Sequence, residues 1–274
     1  MSSARCVSLA HLTLIDVPAP QLVRVAAQTG YDAVGLRILP VRDGPDHTLL
    51  PGSARLHETR RAMAETGVAV LDVEVVKLQP DTDVAQYDSF LDAAAELGAR
   101  YAIAVVEDPQ AGRAAQTLGA FCALAAGRGV TAMVEFMIFK AVGTLAAARQ
   151  LVEAAGAANA GVLVDPLHLA RSGGTVEEVR TVPPHLMPYL QFCDAASALP
   201  ATDLEEAGAE ARHSRVPPGQ GSLPLTGLLA ASPPNAGLSL EVPAGWRNPD
   251  PVARAATVRR ALADLVADGP FDPR

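Results

Sequence analysis

The chain has 274 residues, 49% of them hydrophobic, a length that holds one large core and suits an eight-stranded α/β barrel. Its 22 Lys and Arg stand against 30 Asp and Glu, a net charge of −8, and no basic cluster forms a strip for a phosphate backbone, so no nucleic-acid partner is expected. No apolar run reaches the roughly 18 residues of a membrane helix, and residues 1–16 lack the charged start and apolar stretch of a signal peptide.

Short apolar, strand-like runs alternate with amphipathic helical stretches along the chain. Residues 6–10 read as the first strand, and residues 18–29 as a helix stopped by Gly30. A strand at 33–37, a helix at 53–66 ending at Gly67, and a strand at 68–76 follow. Then come a helix at 84–97 ended by Gly98, a strand at 101–105, and an Ala-rich helix at 110–128 ended by Gly129. A strand closing at Glu135, a helix at 145–155, a strand at 160–165 and a short helix at 176–181 continue the alternation. The strand around Gln191 leads into an irregular stretch at 195–221, a short helix at 225–230, a strand ending at Glu241, and a last helix at 252–266.

Eight alternating units imply parallel strands with right-handed crossovers. The expected fold is a single (β/α)8 TIM barrel over residues 1–267, with residues 268–274, which hold two prolines, as a surface tail. The alternative is an open doubly wound sheet, whose nucleotide-binding form carries a Gly-rich turn after its first strand. Here that turn reads Ala10-His11-Leu12-Thr13-Leu14, without glycine. Cys6, Cys122 and Cys193 are odd in number and lack metal-ligand spacing, which points to small core residues in a reducing, cytoplasmic setting.

In such barrels the active site lies at the C-terminal strand ends. Those ends carry His11, Arg37, Glu74, Glu107, Glu135, Asp165 with His168, Gln191 with Asp194, and Glu241. Any one of them can instead start a loop or cap a helix. Glu135, Asp165, Gln191 and Glu241 form a set, each closing a buried run, at separations of 30, 26 and 50 residues. Carboxylates gathered without a counter-charge repel one another, and a bound cation removes that penalty. Oxygen ligands of this kind suit one hard divalent ion such as Mg2+ or Mn2+.

Other candidates fall around this set. In Asp165-Pro166-Leu167-His168, the histidine lies three residues beyond the strand end, where a neutral imidazole can hold a substrate oxygen. Arg212, His213 and Arg215 precede Pro217-Pro218-Gly219-Gln220-Gly221 in the loop before the last strand, and suit an anionic or polyhydroxylated substrate. Asp72 and Glu74 share one strand face; Glu74 then serves substrate, or pairs with an arginine such as Arg37. Lys140 and Trp246 follow Glu135 and Glu241 closely enough to reach the mouth. Nucleophile elbow, Walker A loop, His-Glu-x-x-His and Cys-x-x-Cys patterns are absent.

The pattern resembles the xylose-isomerase-like barrel superfamily of sugar isomerases, ketose 3-epimerases, inosose-processing enzymes and 3-dehydroshikimate dehydratases. The resemblance spans the chain and is most specific in Val134-Glu135, Leu163-Val164-Asp165-Pro166-Leu167-His168-Leu169-Ala170-Arg171, Leu190-Gln191-Phe192-Cys193-Asp194-Ala195, the stretch from Arg212-His213 to Gly221, and Ser239-Leu240-Glu241. It implies one divalent ion (Mn2+, Mg2+ or Co2+) on Glu135, Asp165, Gln191 and Glu241. It also implies substrate oxygen on His168, and Glu135 with Glu241 as an acid–base pair. Gln191 departs from the histidine usual in ketose epimerases, and a neutral amide oxygen favours harder ions.

The activity this implies is metal-dependent isomerisation or epimerisation of a small polyhydroxylated carbonyl compound through an enediolate, by carboxylate proton transfer. A dehydratase or lyase using the same intermediate is the alternative, and a non-catalytic polyol-binding barrel the second. His11, Arg37, Glu74, Lys140, Arg212, His213, Arg215 and Trp246 are the expected substrate contacts. A homo-oligomer stays open.

Overall fold

A computed structural model describes residues 5–40, 45–246 and 248–267. Its eight parallel strands are β1 Val7–Leu9, β2 Ala33–Arg37, β3 Ala69–Leu78, β4 Tyr101–Val106, β5 Thr131–Glu135, β6 Ala160–Leu163, β7 Tyr189–Phe192 and β8 Gly237–Leu240. They run side by side in the order β6-β5-β4-β3-β2-β1-β8-β7. The ring closes where Val164, just past β6, bridges Leu190, with Gln191 N donating to Val164 O at 3.1 Å. The fold is therefore a single (β/α)8 barrel. The expected tail at 268–274 lies outside the described residues.

Helices cover the outside of the ring: α1 Ala19–Gln28, α2 Ala54–Thr66, α3 Asp88–Glu96, α4 Ala111–Ala126, α5 Leu145–Ala155, α6 Pro166–Arg171, α7 Val176–Arg180, α8 Leu204–His213, α9 Leu225–Ala231 and α10 Pro251–Ala267. Their ends follow local chemistry. Ser53 caps α2 by accepting from Leu56 N, and Gly67 ends it at φ 75°, a left-handed conformation that favours glycine. Two helices, α6 and α8, depart from the sequence reading. The stretch expected to be irregular at 195–221 holds α8, capped by Asp203 with Glu205 and Glu206 in its first turn and Arg212 and His213 in its last. That charge order complements the helix dipole.

The apolar core lies mostly between the strands and the helices. A smaller cluster plugs the barrel itself: Ala33, Leu71, Ile103, Met133, Leu163 and Tyr189. Above this plug the β2–β3 register shifts by one residue, pairing Gly35 with Asp72 and Arg37 with Glu74. A Cβ on Gly35 would lie 2.7 Å from Asp72 Oδ1, so the missing side chain is what makes room for a carboxylate inside the barrel. This shift sets Arg37 and Glu74 together at the mouth.

Candidate active site

The strand ends meet at a cavity of about 620 Å³. Arg37, Glu74, Glu135, Lys140 and His168 line it, as do Arg212, His213, Arg215 and Glu241. Asp165 and Gln191 are buried at 0% and 1% exposure and are held to the same group by contacts with Arg215 and Glu241. His11 is committed elsewhere: Nε2 meets Val17 O at 2.8 Å, and Nδ1 accepts from Arg37 N at 3.0 Å. Trp246 is half-buried against the hydrophobic core.

Each carboxylate is placed by its strand. Glu135 is the last residue of β5, in register with Val105 and Leu163 on either side. Asp165 follows β6 and caps α6, its Oδ1 accepting from Leu167 N at 2.8 Å and His168 N at 3.1 Å. Pro166 at the first helical position fits that cap, because its missing N–H costs nothing there. The turn sets His168 beside Glu135, Nε2 to Oε1 at 3.7 Å, with the Phe139 ring edge-on at 5.8 Å. Glu241 is fixed by the backbone around it. Its N donates to Phe192 O at 3.1 Å, while Thr13 Oγ1 donates to Leu240 O and accepts from Val242 N, both at 2.8 Å.

Two partners of these acids come from elsewhere. Gln191 Nε2 donates to Glu241 Oε1 at 2.9 Å. Arg215 enters from beyond α8, pairing with Asp165 Oδ2 and, at 3.0 Å, with Glu241 Oε2. Arg37 pairs with Glu74 at 3.3 Å, and Lys140 with Glu107. Sequence reasoning missed Lys77, which also lines the cavity, because β3 runs two residues past its expected end at Val76.

Burial dominates the protonation of this group. It pushes Glu135 well above the ordinary carboxylate range, and the charges of Glu241 and Asp165 add to the effect. Burial likewise raises Glu241, to about 7, against the opposing pull of Arg215. Asp165 feels the same burial, but Arg215 and His168 outweigh it and hold it below 3.8. Burial lowers His168 to about 4 and His11 to about 3, so both imidazoles are neutral near pH 7.

These shifts set a pH dependence. The histidines, ordinarily near 6.5, bind protons more readily unfolded, so their contribution to stability rises as pH climbs from about 4 to 6.5. Glu135, Glu241 and buried Asp72 hold protons more tightly folded, so theirs falls as pH climbs above the ordinary carboxylate values of 3.8 to 4.5. Above 6.5 the histidine contribution levels off while the falling one continues. Chelator-treated protein should therefore have a lower urea midpoint at pH 8.5 than at pH 6.5. A rising midpoint would mean the buried acids are already ionised.

The donor set suits a metal. Glu135, Asp165 and His168 each offer a ligand atom, all within 4.8 Å of one another and all buried. Gln191 Oε1 is buried without a hydrogen-bond partner and adds a neutral oxygen to the neighbourhood. These oxygens, with a neutral imidazole at their side, fit one hard divalent ion.

A family model for the xylose isomerase-like TIM barrel matches residues 23–263. The chain belongs to that family. Solved structures share the fold at low sequence identity. The IolI protein with a bound zinc atom is 17% identical at a TM-score of 0.79, covering 95% of this chain and 98% of its own. D-allulose 3-epimerase from Methylomonas sp., in complex with D-allulose, is 14% identical at 0.70, covering 95% and 97%. The probable 3-DHS dehydratase AsbF from Bacillus anthracis is 11% identical at 0.70, covering 94% and 98%. Among curated proteins nothing matches by sequence. No helix among the described residues is long and apolar enough to cross a membrane.

Proposed function

We propose that the chain is a divalent-metal-dependent isomerase or epimerase of a small polyhydroxylated carbonyl compound. The observation that carries this reading is the pair of buried carboxylates, Glu135 and Glu241, lining one cavity beside a neutral His168. Glu135, Asp165, Gln191 and Glu241 would hold the ion, with His168 beside them. When bound, the ion (Mn2+, Mg2+ or Co2+) supplies positive charge that favours the enediolate over the neutral carbonyl compound.

The chain's own residues move the protons. Glu241, raised to about 7, takes a proton from the carbon beside the carbonyl. Glu135, which burial holds well above the ordinary carboxylate range, returns one to the other face or to the neighbouring carbon. Neutral His168 holds a substrate oxygen. Leu12, Ile15, Leu39, Met137 and Phe139 give the cavity an apolar wall that limits water around the intermediate.

One observation favours a second outcome. Lys77 and Arg212 line the cavity with no ion-pair partner among the described residues, which favours a substrate carrying a carboxylate or phosphate. An acidic polyhydroxy ketone that loses a β-hydroxyl makes the same first step. The hydroxyl then leaves as water with a proton from the second carboxylate, and the reaction is a dehydration.

The deciding experiment incubates stripped and Mn2+-loaded protein with keto-sugars, inososes and 3-dehydroshikimate in deuterated water, followed by NMR. Mn2+-dependent label next to the carbonyl is expected. Label in an isomer identifies an isomerase or epimerase, and an unsaturated product identifies a dehydratase. No exchange with any compound would leave a polyol-binding barrel without catalysis.

A further inference from the structure

We propose that Arg215 is the resident counter-cation of this site, and that a divalent ion can bind only by displacing its guanidinium. The proposal rests on the metal-binding reading above and extends it to a residue whose expected role was substrate contact.

The guanidinium is wholly engaged with the acids and their neighbours. Nη1 donates to Asp165 Oδ2 and lies 3.5 Å from Cys193 Sγ. Nη2 lies 3.0 Å from Glu241 Oε2 and 3.4 Å from His168 Nε2. Nε donates to Ala211 O, the carbonyl of α8 one turn back, at 2.9 Å. The side chain is 2% exposed. Its backbone is tied on both sides: Arg215 N donates to Pro243 O at 3.1 Å, and Val216 exchanges hydrogen bonds with Asp194, each at 2.9 Å.

Competition follows from where the guanidinium sits. Asp165 Oδ1 is taken by the α6 cap, so Oδ2 is the oxygen left for an ion, and Arg215 is on it. His168 Nε2, the nitrogen nearest Glu135, is also the atom facing Nη2. A carboxylate oxygen has two lone pairs, but Arg215 lies on both Asp165 Oδ2 and Glu241 Oε2 and so fills the space between two of the expected ligands. Two cations side by side in a buried pocket also repel strongly, because the medium screens them poorly. The guanidinium has somewhere to go, since Arg215 itself lines the cavity. Displacement would move a positive charge toward the space where substrate binds, coupling ion binding to that of an anionic ligand.

The balance of charge agrees with this role. Without an ion, Arg215 is the positive group that touches two of the three central carboxylates. Truncating it leaves those acids buried and uncompensated, which destabilises the metal-free protein. The same truncation removes the competitor, which strengthens metal binding.

The experiment is calorimetric titration of Mn2+ into chelator-stripped wild type, Arg215→Met and Arg215→Lys, with thermal melts of each protein with and without Mn2+. Arg215→Met is expected to bind Mn2+ about tenfold tighter or more, some 1.4 kcal/mol, and to melt lower than wild type without metal. Arg215→Lys should fall between, because a lysine cannot grip both carboxylates with a planar fork. An Arg215→Met protein that folds only with Mn2+ also supports the proposal, and Arg215→Lys then carries the affinity comparison. If wild type binds Mn2+ and both variants bind no tighter, Arg215 supports the ligands rather than competing for them; the proposal fails and the metal reading stands. If no protein binds Mn2+, both fail.

Discussion

Glu241→Gln is expected to cost about 10²-fold or more in turnover, the scale of a positioned acid–base group, while metal-loaded protein still forms. The amide keeps the shape and an oxygen facing Arg215, so the strand end stays in place. It cannot accept a proton near pH 7, whereas the carboxyl group it replaces titrates at about 7. His168→Ala should act differently, weakening substrate binding and turnover together, because its proposed role is to hold a substrate oxygen. A purely structural Glu241 makes the opposite forecast: lower stability with normal turnover in the folded fraction. Deuterium exchange from solvent, normalised to measured metal occupancy, separates the two, and near-wild-type rates in loaded Glu241→Gln would sink the pair assignment.

Much of this architecture is legible in the chain because it is written locally. Alternating apolar runs with Gly30, Gly67, Gly98 and Gly129 after helices mark the units, and polar residues closing the runs mark the mouth. Glu135, Asp165, Gln191 and Glu241 meet because parallel strands put their ends on one side of a ring. What was not legible depends on contacts across long separations. Arg215 reaches Asp165 and Glu241 only because its loop is tied to Asp194 and Pro243. The one-residue shift between β2 and β3, which turns Asp72 toward Gly35, leaves no signature in alternation. The loss of α6 and α8 from the sequence reading is a different kind of miss. Asp165 before Pro166, and Asp203 before two glutamates, are both start signals. In the first case one side chain, Asp165, is both a candidate ligand and the cap of α6.

The loop that carries Arg215 hangs on one side chain, and Asp194→Ala is expected to destabilise the protein by about 3–5 kcal/mol, since each buried N–H left without an acceptor costs about 1–3 kcal/mol and partial relaxation recovers some of the total. Asp194 is 1% exposed. Its Oδ1 accepts from Ala195 N at 2.8 Å and Leu223 N at 3.0 Å, and its Oδ2 from Gly219 N and Gly221 N, each at 3.0 Å. Four backbone donors converge on one carboxylate, and alanine leaves all four without their acceptor. The loop closes tightly on this carboxylate: a Cβ added to Gly221 would lie 2.2 Å from Ala195 O, so residue 221 is held to glycine. Asp194→Asn keeps one acceptor oxygen and should lose roughly half as much, since its amide nitrogen faces donors. Urea midpoints of the three proteins test the order. Limited proteolysis locates the effect, with new cleavage expected between residues 214 and 223. A midpoint for Asp194→Ala close to wild type, with no new cleavage there, would show that the loop is held by its bridges alone.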